Sequence, residues 1–531
     1  MTSKLPEGWR LVAPGKLTRN GDGTETYDTV NPLEGLDIAA APWLVMEDEI
    51  NGQRVAVYTL PGTPSELANT YLLATGDYLK RFTAEVGPHP WPQFLVVEHI
   101  LPTGYGLPSM TLLGGAVMRL PFIVKTSLGH EVLHDWWGNG VYVDRTQGNW
   151  CEGLTAYMAD HAFSAEENRD GGRDYRTQIL RDYREYTAHG KDDAVADFRE
   201  RHDARERAIG YGKVAMIFHM LRVQLGPDKF QQAVRQLFYE FKYKEASWGN
   251  IQDVFSRTAE TDLSWFFKQW VNTPGAPELG VGKPRIVSND EKSAVKVTLS
   301  ATPGWQMMVP MDARETNGRV FDGFGSIQAT GQGEGHVSLP AGVTVGEVVI
   351  DPEVDLFRRL SAEEVPASLA RYLAAPPDLI VLGSGRDGLL ETARRIADKV
   401  GEGKIPVRRD LDVTPEMLAQ AQRVLWLGRP ADTALGSLVK LPAGVVMDAA
   451  RLATSVGGSS EEDAAIVLTL DNPKPGTGVL LVVDVLRAPQ LDVVMQKIVH
   501  YGKYSFLVFG AGRAQVKGVW PAPSSPLRVA M

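Results

Sequence analysis

Cysteine is almost absent from this sequence of 531 residues. The single one, Cys151, has no partner for a disulfide within the chain, and disulfide frameworks need paired cysteines. One thiol also cannot build a thiolate-rich metal site. Any metal that this chain binds must therefore be held by histidine and carboxylate side chains.

Long apolar runs and basic runs are also missing. The start, "MTSKLPEGWRLVAPGK", has no apolar core of a signal peptide, and "GVLLVVDVL" from Gly478 is interrupted by Asp484; a spanning helix needs about 20 apolar residues. Lys and Arg number 55 against 65 Asp and Glu, a net charge of −10, and no basic stretch could track a nucleic-acid backbone. We expect neither membrane insertion nor a nucleic-acid partner. The compartment stays open between the cytoplasm, the periplasm and secretion.

Length and local patterns predict a multidomain α+β protein, because roughly 150 residues make one domain. Residues 1–62 show short alternating segments typical of strands, and residues 63–279 are mostly of helical periodicity. Pro274 and Gly275 end the last of these helices, and residues 281–360 return to the alternation of a β-sandwich. In residues 375–531 apolar strands alternate with helices, which predicts an α/β domain with a mainly parallel sheet.

Two histidines flank a glutamate in "SLGHEVLHDWW". On an α-helix, His130 and His134 lie on one face and can bind the same ion, with Glu131 beside them. Two imidazoles and one carboxylate leave a fourth tetrahedral position of zinc open for water, whose pKa falls to about 7. Glu131 could then take the proton of that water.

The alternative is a buried helix whose histidines are merely hydrogen-bonded in the core. Against it, a further acid, Glu152, follows His134 with 17 residues between them. We therefore interpret His130, His134 and Glu152 as ligands of one zinc ion.

Longer stretches carry a resemblance to a known family. "HEVLHDWWGN" followed by "WCEGLTAY" resembles the gluzincin zinc peptidases of the aminopeptidase N family, which includes the leukotriene-hydrolysing enzymes. The likeness continues in "YGKVAMIFHMLRVQLG", "DLSWFFKQWVNTPGAPEL" and "VVIDPEVDLFRRL", and it covers roughly residues 50 to 360.

The resemblance implies a thermolysin-like, mostly helical catalytic domain that acts on peptide or protein substrates. It implies that Tyr211 donates a hydrogen bond to the oxyanion of the tetrahedral intermediate, as a charge-stabilising group should; the alternative is a structural tyrosine at a helix start. It also implies that Gly104, Tyr105 and Gly106 line the substrate backbone.

Two departures from the family pattern stand out. The loop from His134 to Glu152 is one residue shorter than is usual. The family's G-x-M-E-N segment, whose glutamate grips the substrate's free amino group, is replaced by "TGYGLPSM", with Gly106 in the place of that glutamate. Losing this anchor should weaken the preference for free amino termini. Glu98 is a candidate substitute, although a structural role is the simpler interpretation.

The same family usually places a large β-sheet domain before the catalytic domain. Residues 1–62 resemble only the last strands of one, so the sequence suggests a fragment of a longer parent, since leftover strands would expose unpaired edges.

Three weaker signals have simpler explanations. "GSGRDG" at 383–388 fits a dinucleotide fingerprint, but Asp410 and Asp412 come later than the acid that should follow. We interpret 375–531 as an accessory domain with a possible protein partner, against the alternative of a nucleotide-dependent oxidoreductase. Cys151 is interpreted as a small buried residue. The mixed charges of 169–207 predict a solvated face.

The sequence therefore predicts a multidomain zinc metallopeptidase, aminopeptidase-like but of uncertain exopeptidase character. The alternative is a zinc-binding interaction protein of the same fold with weak or no activity.

Overall fold

The structure is a computed structural model of the chain. It describes residues 1–29, 31–33, 35–187, 192–288, 293–383, 386–401, 403–428, 465–472, 478–485, 488–510, 513–522 and 524–531. These residues form many helices and several sheets, as expected for a multidomain α+β protein. No helix within these ranges combines the length and the apolar character needed to cross a membrane.

The first five strands are short and form two small sheets. They are β1 (Thr2–Ser3), β2 (Arg10–Val12), β3 (Lys16–Arg19), β4 (Glu25–Asp28) and β5 (Ala39–Ala41). One sheet has the order β1-β4-β3 and the other pairs β2 with β5. All of these pairings are antiparallel.

A five-stranded sheet supports the region of the H-E-x-x-H motif. Its elements are β6 (Leu44–Ile50), β7 (Gln53–Thr59), α1 (Ser65–Glu85), β8 (Gln93–His99), β9 (Gly104–Leu107) and β10 (Met110–Gly114). The strand order is β6-β7-β8-β10-β9, with β9 at one edge. Because β7 pairs in parallel with β8, the sheet extends across the boundary predicted at residue 62. The strands from 44 to 59 are therefore hydrogen-bonded into one sheet with strands that follow residue 62.

Helices dominate from there to residue 270, as the periodicity predicts. They are α2 (Gly115–Met118), α3 (Ser127–Leu133), α4 (Cys151–Ala156), α5 (Ala162–Glu167), α6 (Gly171–Tyr186), α7 (Ala204–Arg207), α8 (Val214–Leu225), α9 (Pro227–Phe241), α10 (Trp248–Ala259) and α11 (Ser264–Trp270). A parallel pair of two-residue strands, β11 (Tyr142–Val143) and β12 (Glu245–Ala246), links two loops. One apolar core joins this region to the sheet that follows.

The strands predicted for a β-sandwich are present. They are β13 (Leu279–Val281), β14 (Arg285–Ser288), β15 (Ser293–Ala301), β16 (Met307–Glu315), β17 (Val320–Ile327), β18 (Gln332–Leu339) and β19 (Val345–Ile350). Their hydrogen bonds connect them as one continuous antiparallel sheet, which a last strand of the chain extends to eight strands. The two-sheet arrangement of a sandwich remains a prediction.

The C-terminal region is an α/β sheet with its own core. Its elements are α12 (Leu369–Leu373), β20 (Leu379–Leu382), α13 (Leu390–Gly401), β21 (Val407–Arg409), α14 (Pro415–Gln420), β22 (Arg423–Leu427), β23 (Ala465–Asp471), β24 (Val479–Asp484), α15 (Ala488–Lys497), β25 (Phe506–Gly510), β26 (Arg513–Gly518) and β27 (Arg528–Ala530). Apolar residues are buried on both faces of this sheet.

The sheet is mixed, so the prediction of a mainly parallel sheet was wrong in part. Strands β21, β20, β22 and β24 are parallel neighbours, whereas β23, β25 and β26 pair antiparallel. The buried apolar strands could not reveal this, because burial on both faces gives the same pattern in either direction. β27 is not part of this sheet and pairs with β19 instead; the bounds 375–531 of an accessory domain remain a prediction.

Candidate metal and catalytic site

His130 and His134 project from one side of α3 at its C-terminal end. The opposite side of the helix is apolar, and Leu128, Val132 and Leu133 are fully buried. This packing fixes the rotation of the helix and turns both imidazoles toward the same space. Their Nε2 atoms lie 3.1 Å apart.

Glu152 joins the two histidines from the first turn of α4. Its Oε2 lies 3.7 Å from Nε2 of His130 and 3.4 Å from Nε2 of His134. One ligand atom from each side chain lies within 4.8 Å of the others. The side chains remain 13%, 14% and 22% exposed, so an ion and water can reach them. The shorter loop therefore still brings Glu152 to the histidines.

The close approach of α4 to α8 depends on Gly153. A β-carbon at this position would collide with Val214. Because glycine has no β-carbon, the backbone of α4 can lie against α8. This contact sets the position of the neighbouring Glu152.

The outer nitrogens of both imidazoles are engaged. Nδ1 of His130 lies 2.7 Å from Oδ2 of Asp160, and Nδ1 of His134 lies 3.0 Å from the carbonyl oxygen of Trp137. Both partners are acceptors, so each ring carries a proton on Nδ1, and in its neutral form its Nε2 lone pair faces the other ring. Two lone pairs and a carboxylate directed at one point suit a divalent cation.

The opposite charges of the site shift the pKa values of His130 and Glu152 toward their charged forms. Burial by itself would lower the pKa of His130, but Asp160 and Glu152 raise that pKa to about 9. Burial would raise the pKa of Glu152, but His134 and His130 hold it well below the usual carboxyl value. Glu152 is therefore ionised, as a metal ligand must be.

Glu131 lies between the histidines in sequence and faces β9. A β-carbon on Gly106 would collide with Oε2 of Glu131 and would lie 3.9 Å from Cδ2 of His134. Glu131 is thus at the site and occupies the space beside Gly106. No carboxylate stands at position 106 to bind an ammonium group.

Tyr211 reaches the same site from a π-helical turn, Ala208–Lys213. Burial and the neighbouring carboxylate of Glu152 raise the pKa of Tyr211 well above its usual value, so the phenol keeps its proton. Its ring lies 6.3 Å from that of Phe198. At the end of the turn, Lys213 donates to the carbonyl oxygens of Thr273 and Gly275, at 3.2 and 2.9 Å. These contacts fix the turn that carries Tyr211.

The predicted substrate residues Gly104, Tyr105 and Gly106 form most of β9. This strand pairs antiparallel with β10 on one side and is the edge of its sheet. Its first three residues are exposed, and Tyr105 is 48% exposed. The unpaired side of β9 is open to an additional strand.

Glu98 and Cys151, whose roles the sequence left open, have structural roles. Oε1 of Glu98 accepts from Arg119 at 3.0 Å, and its Oε2 accepts from the backbone N–H of Leu60 at 2.8 Å and from the hydroxyl of Thr63 at 2.7 Å. A carboxylate engaged in this way and 2% exposed has no oxygen available for a substrate. Cys151 is buried, which raises the pKa of its thiol.

Sequence reasoning missed Asp160 and misjudged Arg176. Asp160 lies eight residues after Glu152, and on a regular α-helix this spacing would turn it about 80° from Glu152. Arg176, from the charged run predicted to be solvated, is 7% exposed and bonds to His161 at 2.7 Å. Its charge is buried because its donors find acceptors inside the protein. No pattern of charges along the run could show this.

The proposed fingerprint at 383–388 lies only partly within the described residues, because positions 384 and 385 fall outside them. The described part places Arg386 against Asp484 at 2.8 Å, at the carboxyl end of β24. The role of this region remains a prediction.

An H-E-x-x-H helix with a glutamate from the next helix beside both histidines is the arrangement that the resemblance to gluzincin peptidases predicts. Residues 123–270 match the model of the peptidase family M1 domain.

Curated relatives of this chain carry aminopeptidase and hydrolase names. The chain is similar to leucyl aminopeptidase of Saccharolobus solfataricus, with 24% identity over 38% of this chain and 28% of that protein. Glutamyl aminopeptidase of Sus scrofa shares 25% identity over 31% of this chain and 18% of its own length. Leukotriene A-4 hydrolase of Xenopus laevis shares 23% identity over 50% of this chain and 48% of its own length. The matches span less than half the length of each of these relatives.

Proposed function

We propose that this chain is a zinc-dependent peptidase in which His130, His134 and Glu152 hold one zinc ion. The observation that carries the proposal is the convergence of two Nε2 atoms and a carboxylate oxygen within 4.8 Å. The hydrogen bonds at both Nδ1 atoms place a proton on each Nδ1, so the Nε2 lone pair of each neutral ring is available to the ion. The match to the M1 domain and the names of the relatives support the same activity.

Zinc in such a site polarises the substrate carbonyl and makes a bound water more acidic. Glu131 is the residue of this chain that would take the proton of the attacking water and return it to the leaving amine. It is on the same helix as both histidine ligands and beside β9. Its position next to Gly106 keeps its carboxylate at the substrate side of the site.

Tyr211 would stabilise the oxyanion. Its hydroxyl keeps its proton because burial and Glu152 raise its pKa. A proton donor held in place by its surroundings stabilises charge that appears only in the transition state. The support for this role is the position of Tyr211 beside Glu152.

The substrate backbone would add to the free side of β9 as an extra strand, a common way to bind an extended peptide. Gly104 and Gly106 would allow the peptide to approach closely. Because no carboxylate at 106 anchors an ammonium group, we expect the enzyme to accept peptides without a free amino terminus. The aminopeptidase names belong to relatives that the chain matches only in part.

The deciding experiment measures zinc content and peptide cleavage on the same purified protein. A fluorogenic peptide mixture should be cleaved, cleavage should stop when a chelator removes zinc, and added zinc should restore it. Bound zinc without cleavage would instead favour the alternative of a zinc-binding interaction protein. Absence of bound zinc under all conditions would refute the proposal.

A further inference from the structure

A π-helical turn interrupts the helix that carries Glu152. α4 continues into the π-helical turn Tyr157–His161, which is followed directly by α5. A π turn closes i→i+5 hydrogen bonds, is rare, and occurs frequently at functional sites. It holds one residue more than an α turn, so it changes which side chains beyond it share a face with Glu152.

The extra residue brings Asp160 to His130. Each residue of an α-helix turns by about 100°, so the eighth residue after Glu152 would lie about 80° away from its face. The π turn removes this offset. As a result, Glu152 lies 3.7 Å from Nε2 of His130 while Asp160 lies 2.7 Å from Nδ1 of the same ring. The ring is held between two acids from one interrupted helix.

Buried hydrogen bonds hold both ends of the π turn. The hydroxyl of Tyr157 lies 3.3 Å from Nδ1 of His219, and Nε2 of His161 lies 2.7 Å from Nη1 of Arg176. The rings of Tyr157 and His161 stack with centroids 5.0 Å apart. Because a guanidinium only donates, His161 must accept with an unprotonated Nε2. An uncommon backbone conformation persists when its surroundings determine it in this way.

Arg176 and His219, which hold the π-helical turn, are themselves hydrogen-bonded to the loop that follows β19. Arg176 donates to the carbonyl oxygens of Val354 and Glu353, at 3.0 and 2.8 Å. Nε2 of His219 lies 2.8 Å from Oδ1 of Asp355. The turn is therefore tied to the eight-stranded sheet through side chains that are not among the proposed metal ligands.

We propose that the π-helical turn Tyr157–His161, held by Arg176 and by the His219–Asp355 pair, is the positioning element that aims Asp160 at His130. Asp160 in turn fixes the ring of His130, as carboxylates behind metal-bound histidines do. Zinc affinity then depends on contacts of Arg176 and His219, which are not among the proposed zinc ligands. A test of this proposal by zinc affinity rests on the proposed function. The geometry of the turn is independent of the proposed function.

Four variants test this positioning role. Asp160→Asn removes the charge behind His130 and gives the loss of zinc affinity with which the other variants are compared. His161→Phe keeps a stacked ring but removes the acceptor for Arg176, and Tyr157→Phe removes a single hydroxyl. Tyr71→Phe is the matched control. Tyr71 is a buried tyrosine of α1, and its hydroxyl donates to the carbonyl oxygen of Met118 at 3.1 Å. Zinc dissociation constants are measured by competition with a chromophoric chelator.

We expect Asp160→Asn to weaken zinc binding by about tenfold or more. His161→Phe and Tyr157→Phe should each weaken it by a smaller factor, while Tyr71→Phe should leave it unchanged. In the Asp160→Asn background, His161→Phe should cause no further loss, because both changes act through one contact. A full multiplicative loss in the double variant, or unchanged affinity in both single variants of the turn, would overturn the proposal.

A second measurement does not need zinc. In crystals of the metal-free His161→Phe protein, the distance from Nδ1 of His130 to Oδ2 of Asp160 should be longer than in the wild type. An unchanged 2.7 Å contact would overturn the positioning role. A wild-type protein that binds no zinc would refute the proposed function, and the crystal distance would then decide the inference by itself.

Discussion

Glu131 and Gly106 face each other across the site, and a β-carbon on Gly106 would collide with the carboxylate of Glu131. The two residues come from different elements, α3 and the edge strand β9. The resemblance to the aminopeptidase N family predicts an ammonium-binding glutamate at position 106, and in this chain a glycine there lies beside the proposed base.

Gly106→Ala should lower kcat by about tenfold or more, because the carboxylate of Glu131 must turn away and a displacement of about 1 Å can cost 10²-fold. Zinc content should not change. Gly249→Ala, in α10, is the control, because its β-carbon would meet Oγ of Ser247 at an ordinary 3.5 Å. Steady-state kinetics of both variants provide the measurement, and equal losses would contradict the proposed contact.

Glu131→Gln should reduce cleavage by about 10²- to 10⁴-fold, the usual contribution of a general base. Zinc should remain bound, since Glu131 is not among the three converging ligands. Elemental analysis and a fluorogenic assay are the measurements. Glu66→Gln, an exposed change in the first turn of α1, should behave as wild type. Full activity in Glu131→Gln would remove this residue from the mechanism.

Tyr211→Phe should lower kcat by about 10²- to 10³-fold with a small change in KM, because the hydroxyl acts on charge that develops in the transition state. Tyr239→Phe, at a tyrosine that is 60% exposed, is the control. If Tyr211→Phe keeps normal turnover, Tyr211 has a structural role only.

Peptides with acetylated and with free amino termini should be cleaved with kcat/KM values within roughly tenfold of each other. A site built to bind a group discriminates by about 10⁴ or more against substrates that lack it, and Gly106 offers no such group. Cleavage-site mapping on paired peptides provides the measurement. A strict requirement for the free amine would show that another residue anchors it.

Acid should destabilise the protein through His161. Burial and the charges of Arg176, His219 and Arg222 lower the pKa of His161 to about 3, although Asp355 opposes them. The unfolded chain takes up this proton near pH 6.5, so between pH 6.5 and 3 it binds more protons than the folded chain, and stability falls as the pH falls.

The His161→Phe variant should lose less stability over this range, by up to about 1.4 kcal/mol per pH unit. Chemical unfolding in the presence of a chelator measures the difference without the contribution of metal release. Parallel curves for the variant and the wild type would contradict the depressed pKa.

The sequence alone determined the chemistry of the site. The spacing of His130 and His134 follows from the helical repeat, and the lack of cysteine partners left histidine and carboxylate as the available ligands. Helix-length periodicity also predicted the helical region, and alternation of apolar and polar residues predicted the strands that follow it. These features are local, so they are visible in the order of residues.

The tertiary structure decided what depends on distant contacts. Three such features are the pairing of β7 with β8, the mixed direction of the C-terminal strands, and the contact between Gly106 and Glu131. Each of them joins parts of the chain that no local sequence pattern relates. The same holds for Asp160, which a regular helix would turn away from His130. A π turn is held by its buried neighbours rather than by its own residues, and those neighbours become visible only when the chain is folded.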